Sequence, residues 1–159
     1  MYPPKKGTLK VVQGDVTNPQ KSEDEVIIIP HLCNNLGIMG GGVALGLKRK
    51  WPIITTLYKE YGDLGECSFP DVGNNIIVAN MVAQDGLVNA NNSKPIKYWA
   101  LVKCMMRVKN WASSNNITTI IAPKFGSLRA GGNWNFILEL IEEIWLDYGI
   151  DVTIYEWDG

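Results

Sequence analysis

"HLCNNLGIMGGGVALGLKRKWP", residues 31–52, places three consecutive glycines between an asparagine pair and an apolar, basic segment that closes on Trp-Pro. Ordering glycine costs more backbone entropy than ordering any other residue. A run of three is therefore kept where the chain must take unusual dihedrals or where something must approach its amide groups. A helix that starts on such a loop offers unpaired N–H groups and the positive end of its dipole, a combination that suits phosphate. The stretch reads as a strand end, a glycine loop and a short helix.

The flanking sequence extends that pattern. "LKVVQGDV" (9–16) and "DEVIIIPHL" (24–32) are rich in β-formers and bounded by Gly, Asp, Asn and Pro, so both are expected to be strands. The second is apolar at consecutive positions, as a central strand covered on both faces must be. "PIITTLYKEYG" reads as a second helix opened by Pro52 at a favoured first-turn position, and "NNIIVANMVA" (74–83) as another strand. Between residues 95 and 115, Leu101, Cys104, Met105, Val108, Trp111 and Ala112 recur at helical spacing. "ITTIIAPKFG" is a buried strand running into a turn. "NWNFILELIEEIWLDYG" is a helix with Ile137, Leu140, Ile141, Ile144, Trp145 and Tyr148 on one face, Asn133 as its cap and Gly149 as its end. "DVTIYEW" is the last strand. Alternating strands and helices predict an α/β fold, a three-layer α/β/α domain with a mixed, largely parallel central sheet.

With 159 residues and 46% hydrophobic content, the chain fits one domain, residues 1–159, with residues 1–7 expected as a flexible tail. A net charge of −1 provides no global positive field to recruit nucleic acid or an anionic membrane. The apolar runs are too short to span a bilayer and the N-terminus has no apolar signal core, so a cytoplasmic location is expected. Three scattered cysteines and a single histidine supply neither a disulfide framework nor a zinc site. The cysteines read as small buried hydrophobes, and no metal or other cofactor is expected.

In such sheets ligands bind beyond the carboxyl ends of the strands. Three loops fall there: Gly14-Asp15, "CNNLGIMGGG" and "KFGSLRAGG" (124–132). The last two each lead into a helix, and side by side they suit two phosphates. Familiar nucleotide fingerprints fail. After Gly40 and Gly42 the third glycine of G-x-G-x-x-G falls on Leu45, and in the P-loop register Leu47 stands where the lysine belongs.

The ordered set "GDVTN", "HLCNNLGIMGGGVALGLKRKWP", "NMVAQDG", "KPIKYWAL" and "APKFGSLRAGGNW" resembles the macrodomain family, from Leu9 to Tyr155. Macrodomains bind ADP-ribose, and many hydrolyse bonds at its distal ribose. "H-x-C-N" and "N-M-V-A-Q" are most similar to the branch with ADP-ribose-1''-phosphate phosphatases and related phage and bacterial proteins. The resemblance implies that Gly40, Gly41 and Gly42, with Val43, lie against the distal ribose and diphosphate. It implies that Asp15, next to Val16, accepts from the adenine amino group, and that Asn34 or Asn35 meets the distal ribose, Asn34 being favoured by its place after Cys33. Gly126, Ser127, Leu128 and Arg129 would form the second phosphate loop, Arg129 clamping phosphate through its planar fork. Tyr155 is a weaker candidate for packing on adenine.

His31, at the end of the second strand, matches the histidine of the phosphatase branch. As an imidazole it could deliver a proton, position water or attack phosphorus. Asp85 is a second catalytic candidate, although an acidic residue before glycine is commonly a turn former. The deADP-ribosylating branch that works through a lysine finds Gln84 in its place and no carboxylate between Lys124 and Gly132. The expected function is therefore ADP-ribose binding with hydrolysis at the distal ribose, ADP-ribose-1''-phosphate phosphatase first. The alternatives are a non-catalytic reader and a deADP-ribosylating or O-acetyl-ADP-ribose hydrolase.

Overall fold

The isoleucines at 27–29 occupy the middle of the sheet, as their two-sided burial requires. The computed structural model describes residues 5–60, 62–127 and 129–157; Leu128 of the expected second loop lies outside the described residues. In chain order the elements are β1 (Leu9–Gln13), β2 (Ile27–Asn34), α1 (Gly42–Lys50), α2 (Ile54–Glu60), β3 (Cys67–Ser68), β4 (Asp71–Gly73), β5 (Ile76–Gln84), α3 (Tyr98–Ser114), β6 (Thr119–Pro123), α4 (Trp134–Ile144) and β7 (Asp151–Glu156). A one-turn 3-10 helix, Leu146–Tyr148, links α4 to β7.

Among the described residues, one seven-stranded sheet runs β1-β7-β6-β2-β5-β3, with β4 also paired to β5. β1, β7, β6, β2 and β5 are parallel, and β3 and β4 run antiparallel to β5. The sheet is mixed and largely parallel, as the alternation predicts. Successive side chains of β2 enter opposite layers. Ile28 joins Leu101, Met105, Ile137 and Ile141 of α3 and α4, while Ile27, Ile29 and Cys33 join Leu47, Ile54 and Tyr58 of α1 and α2. The three layers follow from this period-two alternation with apolar residues on both sides.

Several boundaries move. The first strand stops at Gln13, and β1 is a fully exposed sheet edge. β3 and β4 are two and three residues long, too short and too polar to leave a periodic trace. The last helix ends at Ile144, and Gly149 turns the chain at φ 81° after the 3-10 turn. Asn133 caps α4 as expected, its Oδ1 accepting from Phe136 N at 3.2 Å. Trp145 is fully buried, its indole N–H donating to Met105 O at 3.0 Å. Trp51 and Trp134 pack on the two core clusters from partly exposed positions. At the end of the stretch expected as a tail, Gly7 N donates to Leu146 O at 2.7 Å and Lys6 pairs with Glu142 at 3.1 Å. No helix among the described residues is long and apolar enough to cross a membrane.

The topology locates the site. From β2 the chain proceeds to β5 on one side, and from β6 to β7 on the other, so a crevice opens between the carboxyl ends of β2 and β6. β2 pairs with β6 at Ile28↔Ile120, whereas its ladder with β5 continues to Asn34.

Candidate functional site

A cleft of about 460 Å³ fills the crevice, between the loop after β2, the start of α1 and the loop after β6. Asn34 shapes its first wall. Its Nδ2 donates to Ile38 O at 2.7 Å, while its Oδ1 accepts from Leu36 N at 3.0 Å, Ile38 N at 3.3 Å and the Tyr58 hydroxyl at 2.8 Å. Tyr58 also hydrogen-bonds Asn34 O. Burial pushes its phenol above the ordinary range, so it remains a donor. Asn35 turns the other way. Its Nδ2 donates to Asp85 Oδ1 at 3.0 Å, and its Oδ1 accepts from Gly86 N at 2.9 Å. The asparagine pair thus divides its work: Asn34 folds the glycine loop and lines the cleft, and Asn35 ties that loop to the turn after β5. Asn35 and the exposed Asp85 are not in the lining.

The glycines carry the chain into α1. Gly41 is the extended cap, and Gly42 begins the helix at φ 59°, the left-handed region that favours glycine. The first turn has neither a side-chain cap nor an acidic residue. The N–H groups of Gly42, Val43 and Ala44 precede the first helical bond, from Leu45 N to Gly41 O, and all three residues line the cleft. At the other end of α1, Lys48, Arg49 and Lys50 form the solvated basic turn that complements the dipole.

The second loop is built from below. Gly126 sits at φ 81°, and a Cβ there would lie 2.8 Å from Ile137 Cδ1. Gly132 N closes the loop on Gly126 O at 2.8 Å, and Ile96 N docks it through Ala130 O at 3.1 Å. Ser127 Oγ turns back to Lys124 O at 3.3 Å and is not in the lining. Arg129 reaches across the cleft, and a Cβ on Gly41 would overlap its Nη1. The two glycine loops therefore meet through this side chain.

Charge in the cleft is one-sided. Lys124 and Arg129 line it, and among the described residues no carboxylate does. His31 is 1% exposed, and burial pushes its imidazole down to about 4, so it is neutral near pH 7. Burial also pushes the Cys33 thiol well up, which leaves it protonated and inert.

Asp15, Val16 and Tyr155 gather beside the cleft, at the carboxyl ends of β1 and β7, outside its lining. Asp15 Oδ1 accepts from Thr17 N at 2.9 Å and Thr17 Oγ1 at 2.8 Å. Val16 is buried. Tyr155 is buried against Gly14, and its hydroxyl accepts from Gln20 N at 2.8 Å. The lining also includes Lys124, Gln84, Leu87 and Val88, which the sequence does not single out as ligand contacts. Asn80 opens the "NMVAQ" motif, but its pairing with His31 across β2 and β5 is not legible in sequence, because the two residues lie far apart in the chain.

The same architecture occurs in known proteins. A Bacteroides thetaiotaomicron protein of unknown function superimposes with a TM-score of 0.86 at 30% identity, over 94% of this chain and 98% of that one. A macrodomain protein from Streptomyces coelicolor superimposes with a TM-score of 0.78 at 32% identity, over 92% of this chain and 97% of that one. The chain belongs to the macrodomain family. A curated relative of this macrodomain, the ADP-ribose 1''-phosphate phosphatase of Lodderomyces elongisporus, is 35% identical over 54 residues. That match spans 34% of this chain and 34% of the relative, so this chain matches about a third of the yeast protein's length. No family model matches the chain.

Proposed function

We propose that this macrodomain binds ADP-ribose in the cleft and releases phosphate from ADP-ribose 1''-phosphate. The observation that carries this reading is the meeting of two glycine loops over one cleft whose charged lining is cationic. The open amides of Gly42, Val43 and Ala44 suit one phosphate of a diphosphate, and Gly126 with the Arg129 guanidinium suits the other. Adenine then points toward β1 and β7, where Asp15 keeps Oδ2 for the 6-amino group while Oδ1 holds Thr17. The distal ribose points toward Asn34 and His31.

In the reaction, the oxygen of a water joins phosphorus and the bond from phosphorus to O1'' breaks. O1'' takes up a proton, and free phosphate leaves. Phosphoryl transfer asks the protein mainly for positioning and charge stabilisation, which a rigid floor and two cations supply. The similarity to the yeast phosphatase supports the same assignment. Asp85 takes no part in this proposal, because its carboxylate is exposed and turned to Asn35.

A reader without turnover is the second reading, favoured by the lack of a lining carboxylate among the described residues. One experiment separates the two: incubation with ADP-ribose 1''-phosphate, ADP-ribosylated protein and O-acetyl-ADP-ribose, with products followed by mass. Phosphate release from the first substrate is the expected outcome. Tight binding with all three unchanged selects the reader, and absence of ADP-ribose binding overturns both.

A further inference from the structure

The two short motifs that resemble the phosphatase branch form a single unit in space. His31 of "HLCN" and Asn80 of "NMVAQ" are paired residues of β2 and β5, and both are buried. His31 Nε2 lies 2.6 Å from Asn80 Oδ1. The amide of Asn80 is not free to turn over. Its Nδ2 donates to Ile54 O at 2.9 Å and to Ser68 Oγ at 3.0 Å, which uses both of its hydrogens. The reverse orientation would set its oxygen against the Ile54 carbonyl, two acceptors with no proton between them.

An amide oxygen only accepts, so the proton between the two side chains belongs to His31 Nε2, and Nδ1 carries a bare lone pair. We propose that Asn80 is a positioning residue that holds His31 as the neutral Nε2–H tautomer, so that at the floor of the cleft His31 offers an acceptor and not a proton. Around the ring, Cys33 Sγ on β2 lies 3.6 Å from Nε2 and 3.9 Å from Nδ1. The phenol of Tyr58 on α2 is engaged with Asn34, and β5 and β3 contribute the uncharged Asn80 and Ser68. Among the described residues no carboxylate pairs with the imidazole. Burial acts in the same direction, since it disfavours the imidazolium.

For catalysis the inference rests on the phosphatase reading. His31 then accepts from the attacking water and orients it, the water's proton passes to the phosphate, and O1'' is protonated from solvent. The role of neutral acceptor replaces that of acid, which a histidine of ordinary pKa would allow.

The chain has one histidine, so its imidazole gives a single pair of ¹⁵N resonances. A long-range ¹H–¹⁵N correlation spectrum of the ligand-free protein is expected to show a protonated Nε2 and an unprotonated Nδ1, unchanged from pH 8 to pH 5.5. A protonated Nδ1, averaging between tautomers, or a titration midpoint between pH 6 and 7 overturns the proposal. Asn80→Ala is expected to lose the single-tautomer pattern, and a folded variant that retains it removes Asn80 from the role. Should that variant not fold, the wild type decides: the Nε2 proton sealed on Asn80 is expected to exchange slowly, and rapid exchange overturns the lock. The spectra need no ligand, so they read the tautomer whether or not the protein binds ADP-ribose. A wrong tautomer in a protein that binds ADP-ribose overturns this inference alone.

Discussion

Single side chains in this cleft do more than one job, and substitutions must separate them. Asp15 both holds Thr17 through Oδ1 and, in the proposed complex, accepts from adenine. Asp15→Ala is expected to weaken ADP-ribose binding by about 1.5–3 kcal/mol, the worth of a hydrogen bond to a charged group. Asp15→Asn is the cleaner variant, because its Oδ1 still accepts from Thr17 while its amide hydrogens face the donor on adenine. Calorimetry on both variants checks this, and unchanged affinity removes Asp15 from the site. Gly41 separates in the opposite direction. Its φ of −163° is ordinary extended backbone, so a side chain there adds no strain. It does add bulk where the Arg129 guanidinium lies and where a phosphate is proposed to bind. Gly41→Val is therefore expected to abolish measurable ADP-ribose binding with little change in melting temperature. Pairing Gly41→Ala with Arg129→Ala should return part of the affinity that Gly41→Ala loses, and strict additivity of the two would separate the loops.

The elements around the cleft are held by local devices whose loss is expected to cost stability rather than chemistry. Asn133 caps α4 through Phe136 N, so Asn133→Ala is expected to lower stability by about 1 kcal/mol and leave ADP-ribose affinity unchanged. Denaturant melts and calorimetry on the same sample read both quantities. Gly126 is a harsher case, because an alanine meets both the positive φ and the Ile137 side chain 2.8 Å away. Gly126→Ala is expected to cost more than about 1 kcal/mol and to weaken binding as the second loop shifts. The capping of α4 was legible in the sequence because Asn133 stands directly before an apolar period. The packing of Gly126 was not, since Ile137 and Ile96 approach it from elements remote in the chain.

For the whole molecule, the buried imidazole links folding to pH. His31 lies at about 4 when folded and near 6.5 when unfolded, so between these values the unfolded chain binds the extra proton. The contribution of the neutral His31 to native stability is complete above pH 6.5 and is lost progressively as pH falls toward 4, by about 3 kcal/mol. Denaturant unfolding of the wild type and His31→Gln across pH 4 to 7 checks this, and an equal acid slope in both would show that His31 is not the group responsible. The same residue marks the division between sequence and structure. The alternating pattern, the isoleucine run of β2 and the order of the glycine loops by themselves determined the three-layer fold and the edge of the sheet that carries the cleft. Those features depend on local period and chain order, which a sequence states directly. Tertiary structure alone decided that Asn34 and Asn35 bond in opposite directions, that Arg129 reaches Gly41, and that Asn80 caps Nε2 of His31. Each is a meeting of side chains far apart in the chain or free to turn either way, and only the register of β2 on β5 and the approach of the two loops fix which atoms face each other.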